Sequence, residues 1–154
     1  MIIATANVMH VDAILDSGAT QSIFPRNYQN LGKFTEYRTP SHATMADSTS
    51  KLKLYGTAMY GSILVIVGDI QCPLISEGAL TGPPNKLTIL KSGDTAWILD
   101  PDKAPDDPNW ILCHCTKKSD NLYHLQDTSM LSTWRPSVSV SYRKTLHNPR
   151  ENFT

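Results

Sequence analysis

Several things are scarce in this chain of 154 residues, and each scarcity excludes something. Cysteine is limited to Cys72, Cys113 and Cys115, an odd number with one pair only two positions apart, which is poor material for a secreted disulfide framework. A reducing compartment is therefore expected. Long apolar runs are missing too: the most apolar internal stretch, Ile63 to Val67, falls far short of the roughly 20 residues that span a bilayer. Met1-Ile2-Ile3-Ala4 offers neither a basic leader nor a long apolar core, so the expectation is a soluble, cytoplasmic protein with no membrane partner. Nor is there an excess of either charge. Lysine plus arginine equals aspartate plus glutamate at 14 each, so no global field draws the chain toward nucleic acid.

What is present suits a single all-β domain. Ten prolines and eight glycines punctuate a chain in which 40% of residues are hydrophobic, a pattern of short strands and turns rather than of a helix bundle. Residues 2–15 read as two short strands, Ile2–Val8 and Val11–Leu15, with a turn near Met9-His10. Pro25 followed by Gly32 frames a short helix over Pro25–Leu31, because proline is tolerated in a first helical turn and glycine ends helices. Thr44-Met45-Ala46 and Lys51-Leu52-Lys53-Leu54-Tyr55 flank a polar tip and predict a hairpin. The β-branched run from Ser62 to Val67 predicts a buried central strand, and Leu74 to Leu80 one helical turn. Further strands are expected at Lys86–Lys91, Ala96–Leu99, Trp110–Cys115 and Leu122–Leu125. Residues 100–109, with three prolines and four aspartates, read as a solvated loop. From these the domain spans residues 1–127, with a β extension from about 86. Residues 128–154, polar and basic at Arg135, Arg143, Lys144 and Arg150, read as a poorly ordered C-terminal tail.

One constellation carries chemistry. Ala13-Ile14-Leu15 is a strand of apolar residues that ends in Asp16-Ser17-Gly18, followed by the small Ala19-Thr20. Such a strand end presents a carboxylate, a small hydroxyl beside it, and a glycine that admits close backbone approach. Peptide hydrolysis by carboxylates needs two of them sharing one proton, since like charges about 3 Å apart cannot both ionise. No second Asp-Ser/Thr-Gly occurs, and Ser92-Gly93-Asp94-Thr95 has the order reversed. The second aspartate must then come from another copy, which implies a homodimer with Asp16 of each chain beside the two-fold axis and the Ser17 hydroxyls tying the loops together. The polar-tipped hairpin, some 25–30 residues later, falls where a lid is needed.

These residues resemble the protease region of copia-type retrotransposon Pol polyproteins. Ile14-Leu15-Asp16-Ser17-Gly18-Ala19-Thr20 is similar to that family's active-site motif, and Met45-Ala46-Asp47-Ser48-Thr49 to its VADGS flap, with Ser48 where the family has glycine. Leu74-Ile75-Ser76-Glu77-Gly78-Ala79-Leu80 is similar to NLLSVSQL, and Lys118-Ser119-Asp120-Asn121-Leu122-Tyr123-His124-Leu125 to KRDNLYYL; the four occur in the family's order. The resemblance implies a closed retropepsin-like β-barrel with one or two short helices. It also implies Asp16 as the catalytic aspartate, with Ser17, Gly18, Ala19 and Thr20 as its loop, and a homodimeric endopeptidase that needs no cofactor. Its substrate would be a Gag-Pol polyprotein, processed inside a cytoplasmic virus-like particle. The zinc-binding His and Cys segment that follows in the family is missing here. The alternative is a catalytically silent β-barrel acting as a structural or interaction module.

Two other patterns invite functions. Cys113-His114-Cys115 with His124 suggests zinc, but on a strand the two cysteines face one side and His114 the other, and there is no Cys-x-x-Cys, so strand packing is the better account and no metal site is assigned. Trp97, Trp110 and Tyr123 are capable of stacking on bases, but with no basic face around them core packing is the better reading.

Overall fold

A computed structural model describes residues 11–44 and 49–136. They form ten strands and two short helices: β1 (Ala13–Asp16), β2 (Ile23–Pro25), β3 (Thr35–Thr44), β4 (Lys51–Tyr60), β5 (Ile63–Gly68), β6 (Leu74–Ser76), α1 (Glu77–Thr81), β7 (Thr88–Ser92), β8 (Thr95–Leu99), β9 (Ile111–Lys117), β10 (Tyr123–Leu125) and α2 (Ser129–Thr133). The all-β expectation holds. No helix among the described residues is long and apolar enough to cross a membrane.

All ten strands belong to one sheet in the order β3-β4-β5-β2-β6-β1-β10-β9-β8-β7. It is mixed, with β1 parallel to β6 and β2 parallel to β5, the other pairs antiparallel. It is also open. Where the sequence suggested a closed barrel, the described strands leave β3 and β7 as two free edges. Both are mostly exposed, as befits edge strands.

Alternation of apolar and polar residues sets the buried face. In β4, Leu52, Leu54, Ala58 and Tyr60 point inward while Lys51, Lys53 and Met59 face solvent. The same period governs β5, which lies inside the sheet between β4 and β2 as expected of a central strand: Ile63, Val65 and Val67 are buried, while on the other face Leu64 is 61% exposed. At the centre, Phe24 packs edge-on against Tyr28 with ring centroids 5.1 Å apart and lies 4.9 Å from Tyr60.

That aromatic cluster explains why the helix expected over Pro25–Leu31 does not form. Pro25 is the last residue of β2, the Tyr28 amide closes a single turn onto the Pro25 carbonyl at 3.1 Å, and Asn30 adopts a left-handed φ of 64°. Burying Phe24 and Tyr28 on one side of Tyr60 outweighs the local helix signals. Gly32, instead of ending a helix, donates its amide to the Met59 carbonyl at 2.7 Å. The segment from Leu74 to Leu80 divides, with β6 pairing to β1 before α1 begins at Glu77.

The reading of residues 128–154 as a poorly ordered tail also needs correction over its first part. Ser129–Thr133 is α2, and Leu131 and Trp134 are buried in the core. Gly61, with φ of 63°, lets the β4–β5 turn meet this helix, since a Cβ there would come within 2.6 Å of the Ser132 carbonyl oxygen. Residues 137–154 lie outside the described residues, as do the strand expected over Ile2–Val8 and the hairpin tip Met45–Ser48.

Candidate active site

Asp16 stands at the end of β1, a strand held on both sides: β10 pairs with it antiparallel through Ala13, Ile14 and Leu15, and β6 pairs parallel in the register Ile14↔Leu74, Leu15↔Ile75, Asp16↔Ser76. Ala13 and Leu15 anchor it in the core, so the next alternate residues, Ile14 and Asp16, are left half-buried. The Gly18 amide donates to Asp16 Oδ1 at 2.9 Å, a turn closed by the carboxylate itself. Ser17, Gly18 and Thr20 are exposed, and Ala19 is half-buried.

The loop from Ser17 to Ser22 joins β1 to β2, but these two strands are not neighbours. β6 is inserted between them. Ser22, 1% exposed, accepts the Ser76 amide on its Oγ at 2.9 Å, while its carbonyl accepts the Ile66 amide at 2.9 Å. Ser76 in turn donates its hydroxyl to the Ala19 carbonyl at 2.7 Å and accepts the Ala79 amide at 3.0 Å, which caps α1. Sequence reasoning missed both serines as members of the site. The local signal for Ser76 is a serine at the start of a short helix; nothing local marks its link to Ala19, 57 residues away.

A cavity of about 520 Å³ adjoins the loop on the side of Thr20, Gln21 and Ser22, with Leu64 and Ile66 of β5 and Ala79 of α1 in its walls. Asp16 is not among its lining residues. The expected hairpin has its two strands paired: β3 and β4 run antiparallel up to Thr44↔Lys51. Of the five flap residues, Met45, Ala46, Asp47 and Ser48 lie outside the described residues, and Thr49 is exposed. Gly56 makes a close approach lower in this hairpin, where the β3–β4 register shifts and a Cβ would collide with the Thr35 carbonyl and come within 2.7 Å of the Phe34 ring.

The cysteines and histidines do not converge. Cys113 and Cys115 point into the core, 3% and 0% exposed, while His114 faces outward beside Trp97 at a ring separation of 5.9 Å. His124 Nε2 lies 2.8 Å from Asp120 Oδ2. Among the described residues no three His, Cys, Asp or Glu side chains form a group fit to hold a metal. Trp97, Trp110 and Tyr123 are each half-buried rather than inside the core, and Tyr123 lies under the ammonium groups of Lys91 and Lys117 at 5.5 and 5.2 Å.

Comparisons with known protein families, with curated proteins and with solved structures gave no match. What can be said of function therefore rests on the residues and their geometry.

Proposed function

We propose that this chain is one half of a retropepsin-type aspartic endopeptidase, working as a homodimer in which each copy supplies one Asp16. The observation that carries this reading is the placement of Asp16-Ser17-Gly18 at the end of a core strand, in a loop clamped by a third strand inserted between the two that it joins. A carboxylate so held is available to a substrate backbone without being free to wander, which is what shared-proton catalysis asks of it.

Chemically, the ionised carboxylate of the pair takes a proton from water as the water oxygen bonds to the scissile carbonyl carbon. The protonated partner gives its proton to the carbonyl oxygen. The resulting gem-diol collapses as the C–N bond breaks and the amine leaves with a proton returned from the dyad. Closure of a barrel, processing of a Gag-Pol polyprotein and action inside a cytoplasmic particle belong to the same proposal, supported by the order of the four motif matches along the chain.

Incubation of the purified chain with a peptide library across pH, beside an Asp16→Asn control, tests the reading. Cleavage with a bell-shaped profile on the acid side of neutrality, lost in the control, is expected. Sedimentation in the presence of a peptidomimetic aspartic-protease inhibitor should show a dimer. A strict monomer under those conditions rules out the dimer mechanism, and cleavage by Asp16→Asn at the parent rate places catalysis elsewhere.

A further inference from the structure

Ser76 is the register partner of Asp16 across the parallel β1–β6 pair, and it is fully buried. Three of its hydrogen bonds reach three different segments. The hydroxyl oxygen accepts the Ala79 amide at 3.0 Å; the hydroxyl proton goes to the Ala19 carbonyl at 2.7 Å; the backbone amide goes to Ser22 Oγ at 2.9 Å. An ordinary helix-capping serine needs only the first of these. The other two reach the active-site loop at its middle and at its far end, and Ser22 passes the restraint on to β5 through its carbonyl and the Ile66 amide.

We propose that Ser76 is the positioning residue of the Asp16 loop: its hydroxyl fixes the loop's path at Ala19 and couples it to α1, while its backbone amide holds the loop's far end at Ser22. A loop with Asp16 and Gly18 linked only to each other would hold its own turn but not its orientation on the sheet. The bond to Ala19 supplies the missing constraint one residue beyond that turn. Its catalytic consequence rests on the protease reading; the restraint on the loop does not. Misplacing a carboxylate by about 1 Å is enough to cost on the order of 100-fold in rate.

The test uses the full chain and three variants. Ser76→Ala removes both side-chain bonds, and Ser76→Thr keeps a hydroxyl. Asn85→Ala removes a different side-chain tether of α1, the Asn85 Nδ2 bond to the Ala79 carbonyl at 3.0 Å, which leaves the Ser76 bonds to Ala19 and Ser22 in place. Amide exchange at residues 17–20 should rise about tenfold or more in Ser76→Ala relative to Asn85→Ala, and return toward the parent in Ser76→Thr. In peptide cleavage, Ser76→Ala should lower kcat roughly 10- to 100-fold with KM nearly unchanged, and Ser76→Thr should recover it. Equal loop exchange in Ser76→Ala and Asn85→Ala would overturn the proposal and leave Ser76 a helix cap. If the parent cleaves no peptide, the protease reading falls, and the exchange comparison alone decides the role of Ser76. Should Ser76→Ala not fold, Ser22→Ala, which keeps the helix cap, must raise exchange at residues 19–22 or the proposal fails.

Discussion

The indole Nε1 of Trp134 donates to Oδ2 of Asp100 at 3.0 Å, joining the segment after α2 to the end of β8 across 34 positions of sequence. Both residues are buried, and Asp100 Oδ1 is occupied by the Asp102 amide at 3.0 Å. Trp134→Phe leaves a buried carboxylate oxygen without its donor and should cost about 1–3 kcal/mol of stability in urea unfolding. A chain ending at Thr128 loses Leu131 and Trp134 together and should be far less stable than one ending at Pro136.

Acid should act on the same corner of the molecule. Hydrogen bonds from the Ser129 hydroxyl and amide, at 2.7 and 3.1 Å, hold the Asp127 carboxyl below the usual carboxylate range. A depressed folded pKa means that this contribution is present above the unfolded value near ~4 and fades as pH falls through the folded one. Carboxyl chemical shifts should place the Asp127 titration below that of a free aspartate, and Asp127→Asn should flatten the stability profile over that acid window.

Alkali should act on the aromatic cluster. Burial, with Tyr60 alongside, pushes the Tyr28 phenol up to about 12 from its ordinary 10.0, and burial raises Tyr60 as well. Both are stable as neutral phenols, so the contribution is complete below pH 10 and lost as pH rises toward 12. Absorbance titration should show two phenols that ionise late and together with unfolding. Tyr28→Phe should narrow that alkaline loss, at a cost near 1 kcal/mol for the bond from the Tyr28 hydroxyl to the Val11 carbonyl at 3.0 Å.

Gly56→Ala should destabilise the β3–β4 hairpin. The added methyl meets the Thr35 backbone, which cannot rotate away as a side chain end can. A loss of about 1–3 kcal/mol is expected, with faster amide exchange along Thr35–Thr44 and Lys51–Tyr60 than elsewhere in the sheet.

Thiol labelling should distinguish the three cysteines. Cys72 is only partly buried, although burial and the nearby Asp12 raise its pKa. Cys113, its thiol raised by the adjacent Cys115 and by burial, and Cys115 itself are enclosed. Iodoacetamide followed by intact-mass measurement should add one group to the folded chain, slowly, and two more only on unfolding.

What the sequence by itself determined was what repeats or completes itself within a few residues. Leu52, Leu54, Ala58 and Tyr60 announce β4 because a strand's period of two is written in consecutive side chains. Asp16-Ser17-Gly18 at the end of Ala13-Ile14-Leu15 announces the candidate catalytic strand for the same reason. Tertiary structure decided the rest, and in each case the deciding contact is distant in sequence. Pro25–Leu31 carried local helix signals that lost to the packing of Phe24 and Tyr28 on Tyr60. Leu131 and Trp134, isolated apolar residues in a polar stretch, gave no period to read, and only Gly61 and Asp100 show where they belong. The insertion of β6 between β1 and β2, and with it the bond from Ser76 to Ala19, depends on which strands lie side by side; that order is set by shared burial across the whole chain, a sum that no local window contains.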